Sequence, residues 1–184
     1  MNIYDPYPDQ IETKNGHVYR VNLAFDRVLK CLDTDENEPG MTKADRLTVK
    51  CAWLLDEGES IPDDPAEQVQ ILNAVFDLFP KGESGGERYL DFHQDAAMIR
   101  SAFFRIGIDL TKQKIHFLQF LELLADLPKD TALMRTVEIR QRPIPQATKD
   151  NADQIAALLK AKERVALKVS EDERRKHFME SLKK

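Results

Sequence analysis

LDFHQDAAMIRSAFFRIGIDLTKQKIHFLQFLELLADLPKDT, residues 90–131, contains the most apolar segments of the chain and its clearest helix boundaries. Asp91 can begin a helix, because Gln94 follows it at the spacing of a capping box. Apolar residues then recur at helical spacing until Gly107, a residue type that often ends helices. These apolar positions are Ala96, Ile99, Ala102, Phe103 and Ile106. The pattern predicts an amphipathic helix with one face in the core.

The second half of this stretch predicts a helix that is buried on all sides. Residues 115–127 place large apolar side chains on nearly every face of a helix. Pro128 ends the run, because proline lacks the N–H group that a helix interior requires. We expect the rest of the chain to pack around these two helices.

Before residue 90, local signals predict a hairpin and three helices. Asn15-Gly16 separates two short β-prone runs, which is a strong hairpin signal, and we expect a positive φ at both turn residues. Asn22, Thr42 and Asp64 are each placed to cap the start of a helix. The N-terminal part of the chain is therefore predicted to be helical after a small hairpin.

After residue 131, the sequence predicts one more helix and then a break. Asp130 or Thr131 can cap that helix. Pro143 and Pro145 then interrupt regular structure, because each removes a donor and restricts the residue before it. We interpret this segment as a hinge.

Beyond the hinge, the chain is predicted to form an amphipathic helical arm. Residues 150–169 form one helix in this interpretation, and Ser170 with Glu173 begins another at capping-box spacing. The predicted fold is mainly α: a compact helical domain of about six helices with a small N-terminal β-hairpin and a helical C-terminal arm. The predicted domains are a helical body with the hairpin, residues 1–142, and a proline-hinged amphipathic arm, residues 143–184.

Charge is distributed unevenly along the chain. The whole chain has a formal net charge of −5, but residues 140–184 contain twelve Lys and Arg against seven Asp and Glu. A basic end on an acidic body indicates an arm that meets an acidic partner or the body of a second copy of the chain. The alternative that stays open is a solvated helix with mixed charges.

Two cysteines and two histidines are better explained as parts of the core than as functional residues. Cys31 and Cys51 lie on apolar helical faces, which is typical of reduced core thiols in a cytosolic protein. His93 and His116 lack the spacing of a zinc site, so we expect hydrogen-bonded histidines at the edge of a core. We therefore expect no catalytic residues, no metal and no cofactor.

Two short stretches imitate functional motifs without the full pattern. Residues 33–37 resemble the start of a calcium-binding loop, but Glu38 and Ala44 stand where a glycine and a glutamate are needed. We interpret them as an acidic connector. Residues 82–86, GESGG, match the nucleophile elbow of hydrolases, but a helix and a proline precede them in place of a strand. We interpret them as a flexible linker.

The chain lacks the signals of export and of membrane insertion. No charged-then-apolar leader follows Met1, and no uninterrupted apolar run approaches the ~18 residues that a membrane span requires. We expect a protein that is neither secreted nor embedded in a membrane.

The central stretch resembles the phage gene product fifteen family, and the resemblance extends over most of the chain, from Tyr19 through Arg140 into residues 159–174. Leu118 is a departure, because a second bulky aromatic residue often follows the central histidine in the family. The positions that carry the resemblance are Asp91, Phe92, Asp95, Ala96, Ile99, Gly107, Ile108, Asp109, Leu110, His116, Phe117, Phe120, Leu123, Leu124, Leu127, Pro128, Asp130 and Thr131.

This resemblance implies a function in the assembly of phage tails. Members of the family occur in tail-morphogenesis gene clusters of siphophages and prophages of Gram-positive hosts. The implied protein is a noncatalytic tail assembly chaperone that binds the tape measure protein and assists its handover to the tail tube protein. It would act in the cytoplasm of the bacterial host and would be absent from the mature virion.

The predicted arm is our candidate for the partner-binding segment. The candidate partner-binding residues are Leu158, Leu159, Val165, Phe178 and Met179. Their apolar face is too discontinuous for a long coiled coil, which favours a releasable contact with a helical client. Two alternatives stay open: the arm folds back on its own body, or it packs on a second copy in a homo-oligomer.

The alternative function is a small helical phage protein that binds nucleic acid or regulates through its basic C-terminal end. Phosphate contact favours clustered Lys and Arg with little acid among them. Residues 171–173, Glu-Asp-Glu, interrupt the basic series, and the acidic body opposes the approach of nucleic acid. We therefore do not expect nucleic acid as a partner.

Overall fold

The computed structural model describes residues 4–37, 40–80, 88–148 and 151–168. In these ranges the chain is mainly α, with a small antiparallel hairpin near the N-terminus, which confirms the predicted fold class. The elements in chain order are β1 (Gln10–Glu12), β2 (Val18–Arg20), α1 (Phe25–Asn37), α2 (Lys43–Leu54), α3 (Pro65–Asp77), α4 (Ala96–Arg105), α5 (Phe117–Ala125), α6 (Ala132–Gln141) and α7 (Ala152–Val165).

The described residues form two compact units that alternate along the chain. The first unit comprises residues 4–80 and 110–126, and the second unit comprises the remaining described residues, 88–109, 127–148 and 151–168. The hairpin, α1, α2, α3 and α5 belong to the first unit, whereas α4, α6 and α7 belong to the second. Within the second unit, α7 packs on α6. The predicted boundary after residue 142 stays a prediction.

The hairpin forms where the Asn-Gly pair predicts it, but with a different turn. Ile11 pairs with Tyr19 across the two strands. Thr13 exchanges the bonds that close the loop: its N–H donates to the His17 carbonyl, and its own carbonyl accepts from the Gly16 N–H, both at 2.9 Å. Gly16 alone has a positive φ in this turn, 80°. The expectation for Asn15 was wrong, because the loop is three residues long with a glycine bulge.

In the first unit, α1 packs on α2 and α5, α2 packs on α3, and α3 packs on β1. Thr42 and Asp64 cap α2 and α3 as predicted, through bonds to the N–H groups of Asp45 and Ala66. The side chain of Asn22 accepts from the Ala24 N–H at 3.3 Å, and α1 begins only at the next residue.

The acidic residues 33–37 extend α1 and do not form the predicted connector. Thr34, which lies among them, fits the helical conformation. Its side chain is buried, and its hydroxyl donates to the Lys30 carbonyl one turn earlier at 2.9 Å. The hydroxyl is therefore satisfied without leaving the helical conformation.

Aromatic side chains fill the core of the first unit. Phe25 stacks on Phe120 with a centroid distance of 5.1 Å, and Phe117 meets the edge of Phe79 at 4.9 Å. Only Phe117 and Phe120 of α5 are fully buried, so the burial of this helix is less complete than its apolar sequence predicts.

In the second unit, α4 packs on α6, and Gly107 ends α4 as predicted. The N–H groups of Gly107 and Ile108 donate to the carbonyls of Phe104 and Phe103, both at 3.0 Å. This is the arrangement of a Schellman motif, in which the residue after the cap takes a left-handed conformation. Gly107 has a φ of 86° for this reason.

The start of α4 differs from the prediction. The helix begins at Ala96, and Asp91 instead supports the preceding turn, where its Oδ1 accepts from the N–H groups of His93 and Gln94. Ile106 was placed in the core by its spacing but is 37% exposed. The predicted linker at residues 82–86 and the predicted last helix, which starts at Ser170, lie outside the described residues.

Candidate partner-binding site

Polar side chains of the second unit hold the C-terminal end of α7. Arg140 donates from Nε to the Val165 carbonyl at 2.6 Å. Gln94 donates from Nε2 to the Ala166 carbonyl and accepts from the Lys168 N–H through Oε1, both at 2.8 Å. All three bonds reach backbone atoms, so they fix the chain at the point where α7 ends.

The guanidinium of Arg140 is itself fixed by a buried carboxylate. Asp95 accepts from Nη1 at 2.6 Å and from Nη2 at 2.9 Å, which is a bidentate pair. The side chain of Asp95 is 0% exposed, and that of Arg140 is 6% exposed. Nη1 also donates to the Tyr89 carbonyl, and Asp95 also accepts from the Asp91 N–H. With Nη1 and Nη2 both bonded to Asp95, Arg140 presents Nε to α7.

Two consecutive residues in the turn before α4, Gln94 and Asp95, differ in exposure. Asp95 is buried in the second unit, whereas Gln94 is exposed. The amide of Gln94 can donate from Nε2 and accept through Oε1. In this way it bonds both the Ala166 carbonyl and the Lys168 N–H, two residues further along the extended backbone. We call Gln94, Asp95 and Arg140 the α7 clamp.

The side of α7 that faces α6 is only partly buried. Lys162 lies on this side and donates from Nζ to the Arg140 carbonyl at 2.6 Å. Ile155, Leu158 and Val165 are half-buried at helical spacing with it. No residue of α7 is fully buried. The helix is therefore attached through its end more firmly than through its length.

The predicted partner-binding residues fall into three groups. Leu158 and Val165 share the half-buried side of α7, so the chain partly covers them itself. Leu159 is 46% exposed. Phe178 and Met179 lie outside the described residues. The structure thus brings two of the five together and separates a third from them, and their binding role stays a prediction.

Sequence patterns did not identify the α7 clamp. Asp95 does leave a signal, because it lies one helical turn before Ile99 on the buried side of α4. A carboxylate at such a position requires a partner. The partner, Arg140, is 45 residues away in the sequence. Spacing along the chain does not reveal a contact of that range.

The first unit confirms that His116 is a hydrogen-bonded histidine at the edge of the core and that both cysteines are core thiols. His116 accepts the Leu118 N–H through Nδ1 at 3.1 Å and thereby caps α5, and its Nε2 lies 3.2 Å from the Pro8 carbonyl. Burial lowers the pKa of His116, so the neutral ring is favoured. Cys31 and Cys51 are buried free thiols. Burial raises the pKa of Cys51 to about 11, which keeps it protonated at neutral pH.

The described part of the chain has neither a grouping of metal-ligating side chains nor a helix suited to cross a membrane. In residues 4–37, 40–80, 88–148 and 151–168, no three His, Cys, Asp or Glu side chains are grouped so that they could hold a metal ion. None of the helices in these ranges combines the length and apolarity that crossing a bilayer requires.

A family model described as Bacteriophage Gp15 protein matches residues 3–167. The match includes both strands of the hairpin, every helix from α1 to α7 and the α7 clamp. No curated protein and no solved structure matches the chain.

Proposed function

Since the chain belongs to the bacteriophage Gp15 protein family, we propose that it is a noncatalytic tail assembly chaperone. It binds the tape measure protein, keeps it soluble and passes it to the tail tube protein during tail morphogenesis. A long helical client exposes an apolar stripe before the tube encloses it. An amphipathic helix can cover that stripe and later be displaced.

The observation that carries this proposal is the attachment of α7. This amphipathic helix has no fully buried residue and follows a linker, residues 142–148, that is exposed throughout. Leu159 keeps nearly half of its surface exposed although it is a large apolar residue. A specific, releasable contact needs only about 800 Å² from each partner. A helix held in this way can supply part of that area.

We do not favour the alternative of nucleic-acid binding, because several basic groups near the C-terminus are used within the chain. Arg140 pairs with Asp95, Lys162 donates to a backbone carbonyl, and Arg142 pairs with Glu138 at 2.7 Å. Groups engaged in this way are less available to phosphates. A titration with DNA at low salt tests this alternative, and salt-sensitive binding would support it.

A pair of matched substitutions in α7 tests the proposal. Leu159→Asp places a charge at the exposed apolar position, and Ala157→Asp places the same charge at an exposed position about 200° away around the helix. With the tape measure protein from the same tail gene cluster, we expect Leu159→Asp to weaken binding at least tenfold. In the complex, the introduced charge would be buried against the apolar surface of the client.

Co-purification and titration of the two proteins give the readout. Ala157→Asp should bind within about twofold of the wild type, since surface substitutions outside a contact have small effects. Circular dichroism shows whether both variants keep their helix content. Equal binding by the two variants would remove α7 from the contact.

A further inference from the structure

The α7 clamp holds the helix through groups that every helix end leaves unsatisfied. The last carbonyls of a helix have no partner within it, and a cation near them is favoured by the helix dipole. The Val165 carbonyl is one of these groups, and it accepts from the guanidinium of Arg140. The Ala166 carbonyl follows directly and accepts from Gln94.

We propose that the α7 clamp is an autoinhibitory latch, which keeps Leu158 and Val165, one part of the client-binding surface of α7, turned towards α6 until the helix is released, while Leu159 stays exposed. This inference rests on the proposed function, because the client is the helical partner named there. In the latched state Leu158 and Val165 are half-buried within the chain. A client that covers them must first separate α7 from α6.

The linker allows α7 to separate without disturbing the rest of the second unit. Residues 142–148 are all exposed and contain Pro143 and Pro145. The side chain of Asn151 bonds to the Gln146 carbonyl and the Thr148 N–H, at 2.9 and 2.8 Å. These contacts lie within the linker and the start of α7, so they move with the helix and do not hold it to α6.

The clamp is also divided into a fixed part and a releasable part. Asp95 and Arg140 are buried and fixed by one another, so the guanidinium stays in place when α7 leaves. Gln94 is exposed, and its two bonds to the end of α7 can be exchanged for bonds to water. The same exposure means that Gln94 can be substituted without opening a cavity in the core.

Hydrogen exchange of the full-length chain tests the latch directly. Gln94→Ala removes two bonds to the end of α7, and we expect the amides of α7 to exchange about tenfold faster. Gln94→Glu keeps the acceptor for the Lys168 N–H but turns a carboxylate oxygen towards the Ala166 carbonyl, so it should speed exchange at least as much as Gln94→Ala. The control is Gln113→Ala, an exposed glutamine of the first unit. Unchanged exchange of α7 in Gln94→Ala would overturn the latch.

Titration with the tape measure protein then separates the latch from the proposed function. Only the released fraction of the chain binds the client, so Gln94→Ala should bind it about tenfold more tightly than the wild type or Gln113→Ala. If the wild type binds and Gln94→Ala binds no more tightly, the latch is wrong and the proposed function stands. If exchange rises but no form binds the client, the proposed function fails and the hold of the clamp on α7 stands.

Discussion

Asp95 carries a carboxylate into the interior of the second unit, and Arg140 makes this possible. Replacing a buried ion pair by well-packed apolar residues is often neutral, whereas removing one partner leaves an unpaired buried charge. Stability alone therefore does not explain the pair. The position of the pair gives it a second role. Asp95 accepts two bonds that orient the guanidinium of Arg140, and the Nε of that guanidinium bonds the end of α7.

We predict that Asp95→Asn lowers the free energy of unfolding by about 3 to 5 kcal/mol, because it leaves the buried guanidinium without its counter-charge. Urea denaturation followed by circular dichroism measures the change. Glu138→Gln is the control, since it breaks an exposed Arg142–Glu138 pair and should cost no more than about 1 kcal/mol. Similar costs for the two substitutions would contradict the role assigned to Asp95.

At the residue scale, local capping chemistry was predictable and long-range pairing was not. Thr42, Asp64 and Thr131 cap helices where the sequence places them, because a cap needs only residues two or three positions away. Asp95 and Arg140 required the fold to be known. Gln94 was assigned to a capping box, but its amide bonds to the backbone after α7.

At the element scale, Gly107 shows how a single backbone angle ends a helix. Its φ of 86° lies in the left-handed region, and, its two chain neighbours apart, no described residue has an atom within 4 Å of the position that a Cβ would take. We predict that Gly107→Ala lowers the free energy of unfolding by about 1 kcal/mol, from backbone strain alone. Thermal and urea denaturation measure it.

The control for this substitution is Ser101→Ala, at an exposed position of α4. It should leave the free energy of unfolding within about 0.5 kcal/mol of the wild type. A Gly107→Ala protein that is as stable as the wild type would show that the left-handed cap is not needed to end α4.

The elements themselves were largely predictable, and their boundaries less so. The hairpin and the six helices of the predicted body are present, because hydrophobic periodicity and turn residues are local signals. Two helix boundaries differ from the prediction, and a buried polar side chain lies at or near each of them. Residues 33–37 continue α1 past a buried Thr34, and α4 starts at Ala96 after the buried Asp95.

At the scale of the whole molecule, the sequence indicated a break after α6 and left open whether the arm folds back, as α7 does on α6. Two prolines are visible in the sequence, whereas the bonds from Gln94 and Arg140 to the end of α7 join segments far apart in the chain. The alternation of the two units has the same origin, since residues 110–126 belong with residues 4–80. Such groupings depend on contacts that no local pattern encodes.

The proposed function of this chain is to protect another polypeptide by covering its apolar surface. Its most direct test is co-expression of the tape measure protein with and without this chain, followed by size-exclusion chromatography with light scattering. We predict that the tape measure protein is soluble only with the chain and elutes as a complex of defined mass. A tape measure protein that is equally soluble without the chain, or that elutes apart from it, would contradict the account.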